Sequence, residues 1–162
     1  MTEITTGAPP GGGLCFAGYA SVFDLPDRGR DVVAPGAFAR WLAESRSVLP
    51  LLWQHEAREP VGRVLHLAED ARGLRVVAVL AEGCGRGRDA AALLRAGALA
   101  GLSIGYRVRR AEADPRRRLR RLTELELIEI SLVTFPMQPA ARVLALDDSL
   151  LAREPLTAPI WR

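Results

Sequence analysis

The chain has 162 residues, 49% of them hydrophobic and 25% charged, a composition that fits one compact domain and excludes a wholly disordered chain. Its formal net charge is +3, all 22 basic residues are arginine, and no apolar run reaches the roughly 18 to 20 residues of a membrane span. Two cysteines, Cys15 and Cys84, and two histidines, His55 and His66, build neither a disulfide framework nor a four-ligand zinc site. A soluble, unexported protein of a reducing cytoplasm, with no cofactor and no metal, is the expectation.

The N-terminal residues end in Gly7-Ala-Pro-Pro-Gly-Gly-Gly13, a stretch with little to bury and much backbone entropy to lose. Residues 1–13 therefore read as a disordered arm before a domain over 14–146, with 147–162 left as a tail. Leu14 to Phe23 is rich in β-formers and stops at the turn cluster Asp24 to Gly29, which predicts a first strand. Pro35 suits the opening turn of a helix, and Phe38, Trp41 and Leu42 then recur at helical spacing through about Arg46. Val48 to His55 reads as a buried strand whose Leu49, Leu51, Trp53 and His55 share one face.

Pro60 to Ala68 and Gly73 to Ala81 predict a hairpin turning over Glu69 to Arg72, and Gly83 to Gly87 a flexible loop. Asp89 is placed to cap a short helix, Ala90 to Ala96, that Gly97 ends in a left-handed conformation. Leu99 to Tyr106 leads into a strand through Arg110, and a turn at Ala113-Asp114-Pro115 returns the chain into its longest apolar segment, Leu122 to Phe135. A run apolar on both faces predicts a central strand. About six strands, two short helices and no βαβ rhythm give a mainly-β fold with short helices, a small antiparallel barrel.

Ser103 lies in Gly101-Leu102-Ser103-Ile104-Gly105, which matches the G-x-S-x-G pattern of α/β-hydrolases. The order excludes that fold, because here a helix precedes the serine, a strand follows it, and both histidines lie upstream. The flanking glycines would let a substrate backbone approach the hydroxyl and free N–H groups for an oxyanion. The plainer reading is a Gly-Ser turn entering a strand. His55, in Leu52-Trp53-Gln54-His55-Glu56, ends an apolar strand where a neutral imidazole can take a serine proton, or where a histidine is simply hydrogen-bonded. His66 lies mid-strand, facing opposite to Leu65 and Leu67, and reads as structural.

Glu129 is the most informative carboxylate, since an ionised group inside Leu127-Ile128-Glu129-Ile130 costs several kcal/mol unless partnered. Its partner is either an arginine in an ion pair or a histidine whose tautomer it fixes. Glu124 and Glu126 are the fallback choices, with the opposite strand parity and therefore an expected place on the other face. Arg116-Arg117-Arg118-Leu119-Arg120-Arg121 could hold nucleic acid phosphates or an acidic protein, which would make the chain a non-catalytic assembly or binding module. With 6% aromatic residues, and Glu124 and Glu126 close behind, a solvated hairpin face is the simpler reading and nucleic acid an unfavoured partner.

Five blocks, in order, resemble the prohead maturation protease family of tailed bacteriophages, related to the herpesvirus assemblin proteases. They are Phe16 to Phe23, Asp31 to Phe38, Leu52 to His55, Gly97 to Tyr106 and Glu129 to Pro136, so the resemblance covers most of the chain. It implies a herpesvirus-protease-like barrel and a serine endopeptidase that cleaves the scaffolding segment of the major capsid protein, and also itself, inside a procapsid in the bacterial host cytoplasm. Carried over by motif, Ser103 is the nucleophile, His55 the base and Glu129 the third member. Members of the family often have an Asp where this chain has Glu56, and Phe-Pro-Ala-Asn-Pro where it has Phe135-Pro136-Met137-Gln138-Pro139. Gly101, Leu102, Met137 and Gln138 are the candidates for oxyanion and substrate contacts. Other procapsid components and a second copy of the chain are the implied partners, no membrane is, and the short C-terminus reads either as a minimal tail or as a compact form such as those encoded by gene transfer agents.

Overall fold

The computed structural model describes residues 13–45 and 48–148, and the expected arm before Gly13 and the tail beyond Asp148 lie outside them. The described residues form β1 (Cys15–Val22), β2 (Asp31–Val33), α1 (Ala39–Glu44), β3 (Pro50–Trp53), β4 (Glu56–Glu69), β5 (Gly73–Leu80), α2 (Gly85–Arg95), β6 (Gly101–Asp114), β7 (Leu119–Val133) and β8 (Arg142–Asp147). Neighbouring strands run β7-β3-β4-β5-β1-β8-β6, and β6 pairs again with β7, so seven strands close into a barrel while β2 lies along the outer half of β7. The predicted mainly-β barrel with short helices is what forms.

Its details differ from the expectation of about six antiparallel strands. Eight strands are present among the described residues, and β7 pairs in parallel with both β2 and β3. The two unforeseen strands carry weak signals. β2 is three residues long, and β8 leaves Leu144 and Leu146 exposed, so neither shows the buried periodicity that marks a strand. β8 extends to Asp147, which pairs with Cys15, and Gly13 packs so closely on β5 that a Cβ there would lie 2.2 Å from the Leu80 carbonyl oxygen.

The Gly-rich stretch expected as a loop is the start of α2, with Cys84 rather than Asp89 at its N-cap and no side-chain cap. Tertiary packing overrides propensity here, because a Cβ at Gly87 would lie 2.1 Å from the Ala81 carbonyl oxygen and only glycine lets the helix begin so close to β5. Asp89 instead faces Arg86 one turn earlier at 3.7 Å. Gly97 ends the region as expected, at φ +69°, with its N–H donating to the Leu94 carbonyl. The helix expected from Pro35 to about Arg46 is confined to Ala39–Glu44, the preceding residues forming turns.

The core is continuous from Leu14 and Phe16 through Leu51, Leu74 and Leu80 to Leu102, Ile130 and Leu132, all at most 2% exposed. β7 is the strand that joins it to the site. Its pairing with β6 slips between Gly105↔Glu129 and Tyr106↔Leu127, so Ile128 is the extra residue of a β-bulge and is 45% exposed. Leu125 and Leu127 enter the core before the bulge, Ile130 and Leu132 after it. The bulge therefore reverses strand parity, and the expectation that Glu126 and Glu129 lie on opposite faces fails for that reason.

Candidate active site

The β6–β7 ladder positions the polar residues in matched pairs. Ser103 lies opposite Ser131, Gly105 opposite Glu129 and Gly101 opposite Val133. The intervening residues Leu102, Ile130 and Leu132 fill the core, which turns Ser103, Glu129 and Ser131 to the other face of the ladder. All three are nonetheless buried. The second glycine of the G-x-S-x-G pattern has a direct structural reason. A Cβ at Gly105 would come within 2.5 Å of Glu129 Oε1, so the bare backbone at this position gives the carboxylate its space. The first, Gly101, lies against the Val133 carbonyl oxygen at 2.3 Å from an added Cβ.

His55 is not the last residue of a strand. β3 ends at Trp53, which pairs with Glu56, and Gln54 and His55 form the two-residue turn between them with φ of +51° and +63°. Consecutive left-handed residues are the type I′ pattern, which usually takes Asn-Gly because residues with a Cβ are strained there. Four hydrogen bonds to β7 and the residue after it hold the turn. The Gln54 N–H donates to the Leu132 carbonyl at 2.9 Å and the His55 N–H to Ser131 Oγ at 3.1 Å. Gln54 Nε2 donates to Thr134 Oγ1 at 2.7 Å, and the Thr134 N–H returns a bond to Gln54 Oε1 at 3.1 Å.

The turn aims the imidazole at Glu129. His55 Nδ1 lies 2.6 Å from Glu129 Oε1, and Ser131 Oγ donates to Glu129 Oε2 at 2.6 Å. A histidine, not an arginine, is thus the partner of the buried carboxylate, and both carboxylate oxygens are hydrogen-bonded, which offsets the cost of burying them. The hydrogen bond to Glu129 raises the His55 pKa above its usual 6.5; partial burial opposes that rise and the Glu129 charge adds to it. The imidazole remains half-exposed. Among the described residues, Ser103 has no hydrogen bond to His55. Its place on the ladder is set by its register with Ser131.

The remaining candidates are placed elsewhere. Glu124 pairs with Arg40 at 3.3 Å, and Glu126 with Arg107 and Arg109. His66 lies in β4 opposite Val77. The Leu102 N–H already donates to the Ala141 carbonyl at 3.0 Å, which removes it as an oxyanion donor, and Gly101 is paired on both sides, with Val133 and Arg142. The Gln138 side chain acts as a clamp on β1. Its Oε1 accepts the Val22 N–H at 2.6 Å, and its Nε2 donates to the Val22 and Leu25 carbonyls at 2.9 and 3.0 Å. Met137 accepts the Arg28 N–H on its carbonyl and leaves its side chain exposed. In the basic run, Arg120 and Arg121 pair with Asp31 and Asp24, as befits a solvated face.

Sequence reasoning missed Gln54, Ser131 and Thr134. Ser131 carried a usable signal, a second polar residue two positions from Glu129 in an apolar run and hence on the same face.

Known proteins share this sequence and fold. The prohead protease of Enterobacteria phage HK97 is 35% identical over 136 residues, 82% of this chain and 60% of that protein. A capsid polyprotein of Pseudomonas phage PAJU2 is 32% identical over 124 residues, 73% of this chain and 18% of the polyprotein. The chain thus spans less than two thirds of the length of either relative. Among solved structures, KSHV protease bound to a hexapeptide phosphonate inhibitor superposes with a TM-score of 0.55 at 18% identity, covering 83% of this chain and 65% of that one. The capsid assembly protease of bacteriophage T4 gives 0.54 at 15% identity, covering 75% and 82%. At those identities the likeness is one of fold. Residues 3–153 match the family described as caudovirus prohead serine protease, and the chain belongs to that family.

Proposed function

We propose that the chain is a serine endopeptidase of capsid maturation, acting within the procapsid in the bacterial host on the scaffolding segment of the major capsid protein. The observation that carries this reading is the 2.6 Å pair of His55 Nδ1 and Glu129 Oε1 on the ladder that also bears Ser103. In the reaction, the other imidazole nitrogen takes the Ser103 proton as Oγ attacks the scissile carbonyl, and Glu129 steadies the imidazolium. The proton then passes to the leaving amine, and water, activated by the same imidazole, hydrolyses the acyl-enzyme. Homology to a segment of a capsid polyprotein supports a capsid protein as substrate. On the same reading the chain is also its own substrate.

Intact-mass spectrometry of the cognate major capsid protein, co-expressed with wild type or with Ser103→Ala, tests the proposal. Loss of an N-terminal segment with wild type alone is the expected result. An uncut subunit in both, in particles that still assemble, would instead favour a non-catalytic assembly module.

A further inference from the structure

The hydrogen bonds around Glu129 include a hydroxyl that a serine, a histidine and a carboxylate do not require. Ser131 is fully buried, lies directly across from Ser103, and touches both other members of the site. Its hydroxyl has one proton, and the directions of its bonds follow from that. A main-chain N–H only donates, so Ser131 Oγ is the acceptor of the His55 N–H at 3.1 Å, and its own proton goes to Glu129 Oε2 at 2.6 Å. Glu129 Oε1 then receives the proton on His55 Nδ1, which leaves a lone pair on the nitrogen that would face Ser103. The bonds form a closed ring with one consistent orientation.

We infer that Ser131 is a positioning residue that ties both ends of His55, its main-chain N–H and its imidazole, to one carboxylate and so fixes the tautomer and direction of the ring. The inference rests on reading His55 as the general base. The lock is needed because His55 stands on a strained two-residue turn with a half-exposed side chain, and rotation of the ring would carry its free nitrogen away from Ser103. It is effective because its anchor is a buried position on the strand paired with the nucleophile strand. Glu129, from β7, is the charged group that shifts the titration of the ring, so the Ser131–Glu129 bond acts on the imidazole through that carboxylate. Without the hydroxyl, charge concentrates on Oε1 and the imidazolium is held more strongly.

Two measurements on Ser131→Ala test this, alongside Ser131→Thr, which restores the hydroxyl. The His55 titration followed by imidazole NMR, which needs no substrate, is expected to move up by about half a pH unit in the alanine variant. Its kcat is expected to fall about 10- to 100-fold, as for a slightly misplaced base, with KM within about twofold of wild type. Ser131→Thr recovers both. If Ser131→Ala does not fold, Ser131→Cys, close in volume but a weak donor, is expected to shift the titration the same way. An unmoved His55 titration in a folded alanine or cysteine variant would overturn the inference. A shifted titration with no cleavage even by wild type would uphold the ring of bonds and count against the protease reading alone.

Discussion

Ser103 and Glu129 stand on a ladder of two paired strands, buried and backed by core leucines and isoleucines. His55 stands on a two-residue turn with left-handed backbone and a half-exposed ring. The two regions divide the work of the site. The ladder fixes positions through main-chain register, which no single side chain controls. The turn depends on a few side-chain bonds, from Ser131, Gln54 and Thr134, that reach across from β7 and the residue after it. On the proposed reading, the proton carrier is held by side-chain bonds and the groups it serves by strand register.

That division can be broken at each part in turn. The largest effect is expected from Glu129→Gln, which presents an amide to Nδ1 and should lower kcat about 10³- to 10⁴-fold with little loss of fold. Glu126→Gln should change cleavage by less than about threefold, because Glu126 serves surface arginines; a greater loss there than at Glu129 would move the triad acid. Next is Gly105→Ala, whose Cβ would sit 2.5 Å from Glu129 Oε1 and push the carboxylate off the ring. A kcat loss of about 100-fold is expected with a stability loss of about 1–3 kcal/mol in chemical denaturation.

The turn is expected to respond more mildly. Gln54→Ala removes both bonds to Thr134 and should reduce kcat about tenfold, with faster amide exchange confined to residues 53–56.

The pH profile sharpens the same contrast. With His55 as the proposed base, its neutral form is the active one and its pKa is raised, so the acid limb of kcat/KM should lie above 6.5 and fall back toward that value in Glu129→Gln. Stability runs the other way. Because the folded pKa exceeds the unfolded one, the His55–Glu129 contribution is complete below 6.5 and fades as pH rises through the folded value, a slope that Glu129→Gln should lack in thermal melts.

The ladder was more legible in the sequence than the turn. Ser103 and Glu129 announce themselves because a serine between glycines and a carboxylate in an apolar run violate the local pattern. His55 stands out by its place after an apolar strand, but its left-handed turn does not, since Gln-His is not turn chemistry and tertiary bonds impose the conformation. The bulge at Ile128 was invisible for a related reason. An isoleucine fits a strand on either face, and only the pairing with β6 shows that it is the extra residue. The start of α2 was misread because its glycines answer to a neighbouring carbonyl rather than to their own helix.

The most direct test of the central claim is reaction with a peptidyl phosphonate that forms a covalent adduct with activated serines, followed by peptide mass mapping. A single adduct on Ser103, absent in Ser103→Ala and strongly slowed in Glu129→Gln, is the predicted result. No adduct on the wild type, or one that persists on another residue when Ser103 is replaced, would contradict it.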